Sequence, residues 1–366
     1  MRRALAKAHD ALYRSDPNPR VGCVLVRDGV LIGEGATQRP GGQHAEVEAL
    51  DDARARGHDV AGATAYVTLE PCSHHGRTPP CANALIAAGL ARVVVAVEDP
   101  NPLVSGQGIA RLRAAGIDCE VGLLADEAID LNRGFFSRMQ RGRPWVRMKI
   151  AASLDAQSAL ANGASQWITG ERARADGHAW RARASALLTG IGTVREDDPR
   201  LDVRAVETPR QPMRVLVDSR FELAPQARLV AGVATGRALL VVGAIDDAAR
   251  RAALERAGCE TLVLDNGHGK VDLAALVEAL AGRDVNELHV EAGNRLNGSF
   301  VREHLVDELL LYLAPSLLGP GQAMIALPAI TELDSRVVLA FDDVVRVGDD
   351  LRIRARVLPP TTSSEG

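Results

Sequence analysis

Apolar and polar positions along the chain switch between a short and a long period, and the switches mark its elements. Apolar runs at residues 21–26 and 31–35 flank Arg27, Asp28 and Gly29, a composition that predicts a β-hairpin. Residues 45–56, rich in Ala, Glu and Arg, predict a helix. A strand is expected at 65–68, running out at Glu70-Pro71. Residues 81–88 suit a helix stopped by Gly89, and 93–97 has the β-branched character of a buried parallel strand. This series predicts a sheet covered by helices, with functional groups emerging at strand ends and helix starts.

Near residues 138–144 the chain turns polar and basic (RMQRGRP), which places a domain boundary there. The expected division is 1–143 and 144–360, with 361–366 a flexible tail. Further strands are predicted at 146–151, 186–188, 214–217, 239–242, 261–264 and 288–291. Helices are predicted at 171–183, 247–257 and 273–280. Two last strands, 337–341 and 351–357, come after a Pro/Gly break at 315–321 and read as a terminal antiparallel pair. Both halves are therefore expected to be α/β.

Composition narrows the function. At 366 residues the chain exceeds the size of one ordinary core, and 46% hydrophobic content is that of a globular protein. The first residues lack the apolar stretch of a signal peptide, and no 18 apolar residues run together, so a cytoplasmic protein is expected. A formal net charge of -4 gives no general attraction for nucleic acid or an anionic membrane, and neither partner is expected. The five cysteines are odd in number and scattered, which favours a metal site over a disulfide framework.

Three of the possible ligands, His44, Cys72 and Cys81, make a zinc site with an open fourth position for water. Glu46, two residues past His44 at a helix start, is placed to move protons without ligating the metal. This is the constellation of zinc nucleobase deaminases, except that eight residues rather than two separate the cysteines. Ser73, His74, His75 and Arg77 fall in that insert and are expected to rim the pocket. The competing reading is a structural zinc completed by His74 or His75. Asn18, in DPNPRVG, either orients substrate through its amide or simply makes an Asn-Pro turn. Cys23, Cys119 and Cys259 read as small buried hydrophobes.

The second half lacks the G-x-G-x-x-G signature of a Rossmann domain. Glu291-Ala292-Gly293 at a strand end, with Gly298 and Ser299 before a helix, offers backbone N–H groups to a phosphate. Lys149 lies inside an apolar strand pattern, where it either serves a pocket or guards a sheet edge. Arg181 and Arg204, near Asp197-Asp198-Pro199, are arginines suited to gripping a phosphate.

The runs DPNPRVGCV, HAEVEAL, AYVTLEPCSHHGRTPPCANALIAAG, EDPNP, SQWITG, GIGTVREDDPRL and VEAG, in this order across the chain, closely resemble the bifunctional riboflavin-biosynthesis deaminase–reductases. That resemblance implies a cytidine-deaminase-like first domain and a dihydrofolate-reductase-like second domain. It implies zinc on His44, Cys72 and Cys81, with Glu46 as proton shuttle, and a phosphoribosyl pyrimidine as substrate. It implies NADPH against Ala151, Trp167, Thr193, Asp197, Ser219, Gly293, Asn294, Arg295, Leu296, Asn297, Gly298 and Ser299. Substrate contacts are implied for Ser165, Arg181, Leu201, Arg204 and Glu291, beside Asn18, His74 and Arg77 expected from their placement, with a catalytic role for Lys149 and a homodimer or higher homo-oligomer. Two departures stand out: SLDAQSAL, where the family has glycine at Ala156 and a basic residue at Gln157, and Asn294-Arg295 where Pro-Thr is frequent. They raise the alternative of a deaminase with a diverged reductase half. Other readings are a nucleoside or tRNA deaminase, for which the chain shows no basic or aromatic run, and a zinc-stabilised binding protein.

Overall fold

The computed structural model describes residues 1–73, 80–102 and 104–359. The chain divides into two compact units, Met1–Arg143 and Pro144–Gly366.

In the first unit, helix α1 (Arg2–Ala8) precedes the hairpin β1 (Gly22–Arg27) and β2 (Val30–Ala36), then α2 (Ala45–Ala55), β3 (Thr64–Val67), α3 (Cys81–Ala87) and β4 (Arg92–Val95). Helix α4 (Gln107–Ala114), β5 (Asp118–Val121), α5 (Ala125–Leu131) and α6 (Arg133–Arg141) complete it, and the sequence pattern anticipates none of these four. The sheet order is β2-β1-β3-β4-β5. The hairpin pairs are antiparallel, and β3, β4 and β5 run parallel. Asp28 and Gly29 take positive φ, the conformation a tight hairpin turn demands.

A seam of small residues seats α2. Cβ atoms placed on Gly33 and Gly35 would lie 2.4 Å from the carbonyl oxygens of Ala49 and Ala45. Only glycine at these alternate β2 positions lets the helix backbone lie directly on the strand, and Ala45, Ala49 and Ala53 answer it from the helix. The start of α2, with His44 and Glu46, is thereby fixed against the sheet.

A second constraint fixes the segment leaving β3. The buried Glu70 carboxylate accepts four backbone N–H groups: Asp99 at 3.2 Å, Gly106 at 2.9 Å, Gly108 at 2.8 Å and Ile109 at 3.2 Å. A Cβ on Gly108 would sit 1.9 Å from the Pro71 carbonyl oxygen. Glu70 thus clasps the chain just before Cys72 to the start of α4.

The second unit begins with β6 (Trp145–Ser153) and β7 (Gln157–Leu160), followed by α7 (Glu171–Arg183), β8 (Ala186–Gly190), α8 (Ile191–Asp197) and β9 (Met213–Val217). Next come α9 (Arg228–Ala231), β10 (Leu239–Gly243), α10 (Ala248–Arg256), β11 (Glu260–Val263), α11 (Leu273–Ala281), β12 (Glu287–Val290) and α12 (Asn294–Arg302). The last strands are β13 (Glu308–Ala314), β14 (Gly321–Ala323), β15 (Leu339–Val347) and β16 (Asp350–Val357). The large sheet runs β11-β10-β9-β8-β12-β6-β13-β16-β15. It is parallel through β13 and ends in the antiparallel pair.

Three expectations need correction. The penultimate strand spans Leu339–Val347 rather than 337–341, because pairing with β16 carries it through the polar Asp342-Asp343 bulge. Gly298 and Ser299 lie inside α12 rather than before a helix, since the helix starts at Asn294. Glu308–Ala314, read as no element, is a strand beside β6. That neighbour, with β12 on the other side, makes β6 an interior strand and removes the sheet-edge reading of Lys149.

Across these central strands a buried ion cluster ties three neighbours together. Arg147 on β6 donates to Glu308 on β13 and to Glu287 on β12, each at 2.8 Å, with its guanidinium 4.5 Å from the centre of the Trp180 ring. All three charged side chains are almost wholly excluded from water. Removing Arg147 would strip Glu308 of this cation in a buried site, whereas Glu287 keeps a second one in Arg183.

Ala156, in the β6–β7 turn, adopts φ +63, where an L side chain is strained and glycine is not. Replacing Ala156 with glycine should stabilise the second unit by about 1 kcal/mol, raising its unfolding midpoint by about 2–4 °C. An unchanged or lower midpoint in thermal denaturation would contradict the strain. Glu70→Gln turns one oxygen into a donor facing N–H groups and should cost about 1–3 kcal/mol in urea unfolding of the first unit. Wild-type stability in that variant would show that the clasp contributes nothing to the fold.

Candidate active sites

His44 is the residue that caps α2, with extended backbone (ψ 163), so its ring projects from the helix start. Cys72 comes just after the Glu70 clasp, and Cys81 is the first residue of α3. The three meet: His44 Nδ1 is 3.6 Å from Cys72 Sγ and 3.3 Å from Cys81 Sγ. All three ligating atoms lie within 4.8 Å of one another. The Cys81 N–H also donates to Cys72 Sγ at 3.3 Å. Among the described residues no fourth His, Cys, Asp or Glu joins this group. His74, His75 and Arg77 lie outside the described residues, and with them the four-ligand reading.

The electrostatics of this cluster fit a divalent cation. Hydrogen bonding from Cys81, then from His44, drives Cys72 toward thiolate although burial opposes it. Cys81 is driven strongly the other way, by its hydrogen bond to Cys72, by burial and by the Glu46 charge. Without a cation, one sulfur can ionise only at the expense of the other. Two thiolates and an imidazole are the donors zinc prefers, and its charge would let both sulfurs ionise. Glu46, on the first turn of α2, is buried, and burial first, then the Cys72 charge, lifts its carboxyl to about 7. A carboxyl near neutrality beside such a cluster can both take and return a proton.

Asn18 sits in a turn closed by its own N–H to the Ser15 carbonyl and by the Ser15 hydroxyl to the Asn18 carbonyl. These bonds shape the turn at residues 15–18 through the Asn18 backbone and do not choose between the two readings of its amide. Cys23 is fully buried among apolar neighbours, as expected.

In the second unit, a cavity of about 540 Å³ brings together Trp167, Thr193, Asp197, Leu201, Arg204 and Arg181 with Glu291. A cavity of about 340 Å³ shares Trp167, Arg181, Arg204 and Glu291 and adds Lys149 and Tyr312. Arg181 grips Glu291 bidentately, Nε to Oε1 and a terminal nitrogen to Oε2, both at 2.6 Å. Burial opposes the Glu291 charge, but Arg181, with His289 and Lys149 behind it, holds the carboxylate well below its usual range. Burial depresses Lys149, with Arg181 adding to that and Glu291 opposing it. Its ammonium lies 5.7 Å from the Tyr312 ring centre. Arg204 is exposed to the cavity and held at Asp202 by a 2.9 Å hydrogen bond.

Of the residues expected on the cofactor side, the start of α12 lies beside Thr193: a Cβ on Gly293 would be 3.8 Å from its Oγ1. Leu296 reaches Gly190, where a Cβ would be 3.1 Å from its Cδ2. Asn294 and Arg295 complete that first turn. The rest of the run is spent on the protein. Asn297 is buried and donates to the Met324 carbonyl, Gly298 allows close approach of the Ala326 carbonyl, and Ser299 binds the Arg295 carbonyl. Ser219 stands outside both cavities, its carbonyl accepting the Ala244 and Ile245 N–H groups. Ala151 packs with Ala173, Leu310 and Tyr312, and Ser165 precedes the cavity-lining Gln166. Gln166 itself donates to Asp197 at 2.9 Å. Sequence reasoning singled out neither Gln166 nor His178, which also lines the smaller cavity. Helical spacing from Arg181 was the available signal for His178.

Comparison with known proteins respects the same division. Residues 1–97 match the cytidine and deoxycytidylate deaminase zinc-binding region, and residues 144–352 match the RibD C-terminal domain. The riboflavin biosynthesis protein RibD of Escherichia coli K12 is 44% identical over 367 residues, covering 96% of each chain. Its counterpart in Aquifex aeolicus is 38% identical, again over 96% of each. Among solved structures, Acinetobacter baumannii RibD has 40% identity and a TM-score of 0.88, with 98% of both chains covered. A diaminohydroxyphosphoribosylaminopyrimidine deaminase/5-amino-6-(5-phosphoribosylamino)uracil reductase from Thermotoga maritima has 31% identity and a TM-score of 0.87, covering 98% of this chain and 97% of its own. With such identity sustained from the deaminase-like unit through the dihydrofolate-reductase-like one, the chain belongs to the RibD family of bifunctional riboflavin-biosynthesis deaminase–reductases.

Proposed function

We propose that the first unit hydrolyses the 2-amino group from 2,5-diamino-6-(ribosylamino)-4(3H)-pyrimidinone 5'-phosphate. The second unit then reduces the product, 5-amino-6-(5-phosphoribosylamino)uracil, to its ribitylamino form. The observation that carries the reading is the convergence of His44, Cys72 and Cys81 beside a buried Glu46, in a chain matched along its length to this family.

Zinc held by His44, Cys72 and Cys81 supplies the Lewis acidity that makes water nucleophilic near neutral pH. With the ion bound there, Glu46 would relay one proton of the attacking water to the ring nitrogen and the other to the departing amine, so that water enters and ammonia leaves. Burial suits Glu46 to this traffic, because a carboxyl near pH 7 gives and takes protons with little bias.

In the second unit NADPH, when bound, would supply a hydride for C1' of the opened ribosylamino group. Thr193, Asp197 and the 293–296 turn line the side suited to the cofactor, and Trp167 offers a largely exposed ring there. Arg204 suits the substrate phosphate. Arg181 is already committed to Glu291, so it orients that carboxylate and adds positive potential rather than serving as a free clamp. Lys149, its ammonium weakened by burial, delivers the proton that accompanies the hydride. Ala156 keeps the glycine-type backbone of its turn, so this departure leaves the β6–β7 geometry intact and favours a working reductase.

Glu46→Gln should retain one zinc per chain while ammonia release falls by about 100- to 10,000-fold. NADPH oxidation on pre-deaminated substrate should be unchanged. Ammonia release at the wild-type rate would remove Glu46 from the reaction, and absent NADPH oxidation in the wild type would point to a diverged second unit.

A further inference from the structure

Helix α7 presents Arg174, His178 and Arg181 at spacings of four and three residues, so all three lie on one face, and all three line the smaller cavity. His178 is 8% exposed. Its Nδ1 accepts the backbone N–H of Arg204 at 3.4 Å. A ring nitrogen that accepts must carry its lone pair, so in the neutral ring the proton is on Nε2. Burial, then the Arg181 and Arg204 charges, push the ring down to about 4 and keep it neutral. Nε2 has no protein partner among the described residues, and the residue opens on the cavity.

The segment held by this bond is irregular and needs holding. Leu201 has φ +47, and three other contacts secure the two residues after it. Arg181 donates to the Asp202 carbonyl at 3.1 Å, and the Gln211 amide clasps both backbone groups of Val203 at 2.8 and 2.9 Å. His178 holds the backbone of Arg204, while Asp202 holds its guanidinium.

We propose that His178 is a further substrate-recognition residue of the reductase site: Nδ1 positions Arg204, and Nε2–H donates to a hydroxyl oxygen of the substrate pentose. The chemistry selects that partner. The other polar donors of this cavity include the cations Lys149, Arg174 and Arg204, which suit phosphate. A neutral N–H among them adds little for an anion, but it matches an uncharged acceptor on a ligand whose phosphate meets Arg204 in the same cavity. The inference rests on the assignment of this cavity to a phosphoribosyl substrate.

The test is steady-state reduction of the deaminated substrate by His178→Leu, His178→Gln and His178→Asn in the full chain. Leucine removes both functions. Glutamine places an amide donor near the Nε2 position, and asparagine an acceptor near Nδ1. The expected result for leucine is a rise of about tenfold in substrate KM, the scale of one lost hydrogen bond. Its NADPH KM, unfolding midpoint and ammonia release should stay within twofold or unshifted, and each polar variant should recover part of the loss. Wild-type substrate KM in the leucine variant overturns the proposal. So does a loss shared equally by NADPH and substrate with a lowered midpoint, which would mark a structural role. Should glutamine and leucine behave alike, the Nε2 contact is wrong. Binding of ribose 5-phosphate by calorimetry separates this from the cavity assignment. Weaker binding to His178→Leu supports the contact even if wild type fails to turn over, and equal binding refutes it.

Discussion

Two sulfurs brought close together in a partly dry site cannot both carry charge unless a cation lies between them. That constraint organises the first unit. The Cys81 thiol favours the Cys72 thiolate, which in turn holds Cys81 protonated, and His44 completes the triangle. Bringing three such groups together from a helix start, a strand exit and a second helix start is costly without further support. The small-residue seam between β2 and α2 places His44, and the Glu70 clasp places the approach to Cys72. The same helix start carries Glu46 into a buried position, so scaffold and proton chemistry arise from one packing decision.

The second unit handles charge differently. Its cavities are rich in cations, and three of them are balanced or restrained from behind. Arg181 is locked to Glu291, Arg204 to Asp202, and Lys149 is weakened by its surroundings. The positive potential that remains points into the cavities, where a phosphate-bearing ligand would be drawn. Beneath it, the Arg147–Glu287–Glu308 cluster welds the three central strands. Rigid strands under an irregular, positive-φ loop give a pocket whose wall depends on side-chain contacts.

The ligand triangle was legible in the sequence because its chemistry is residue-specific: imidazole, thiols and a neighbouring acid have few alternative uses in that order. The hairpin at Asp28-Gly29 and helix α7 were legible because local backbone preference and tertiary need agree there. Other features depended on contacts distant in sequence. Glu70 reads as a polar strand end until its four N–H partners, 29 to 39 residues away, are in place. After Glu308, residues 309–314 are an unbroken apolar run, which periodicity cannot assign to strand or helix. Gly298 and Ser299 looked like loop residues, but Gly298 is there because the Ala326 carbonyl approaches α12 too closely for a side chain. Ala156 was visible as a departure from the family pattern, and only the structure shows that it takes a positive φ, which glycine adopts without strain.

Zinc K-edge X-ray absorption on the purified full chain tests the central claim most directly. The account predicts one zinc per chain with two sulfurs at about 2.3 Å, one imidazole nitrogen at about 2.0–2.1 Å and a single light atom in the fourth position. A second imidazole in place of that light atom, or a zinc shell without sulfur, would contradict it.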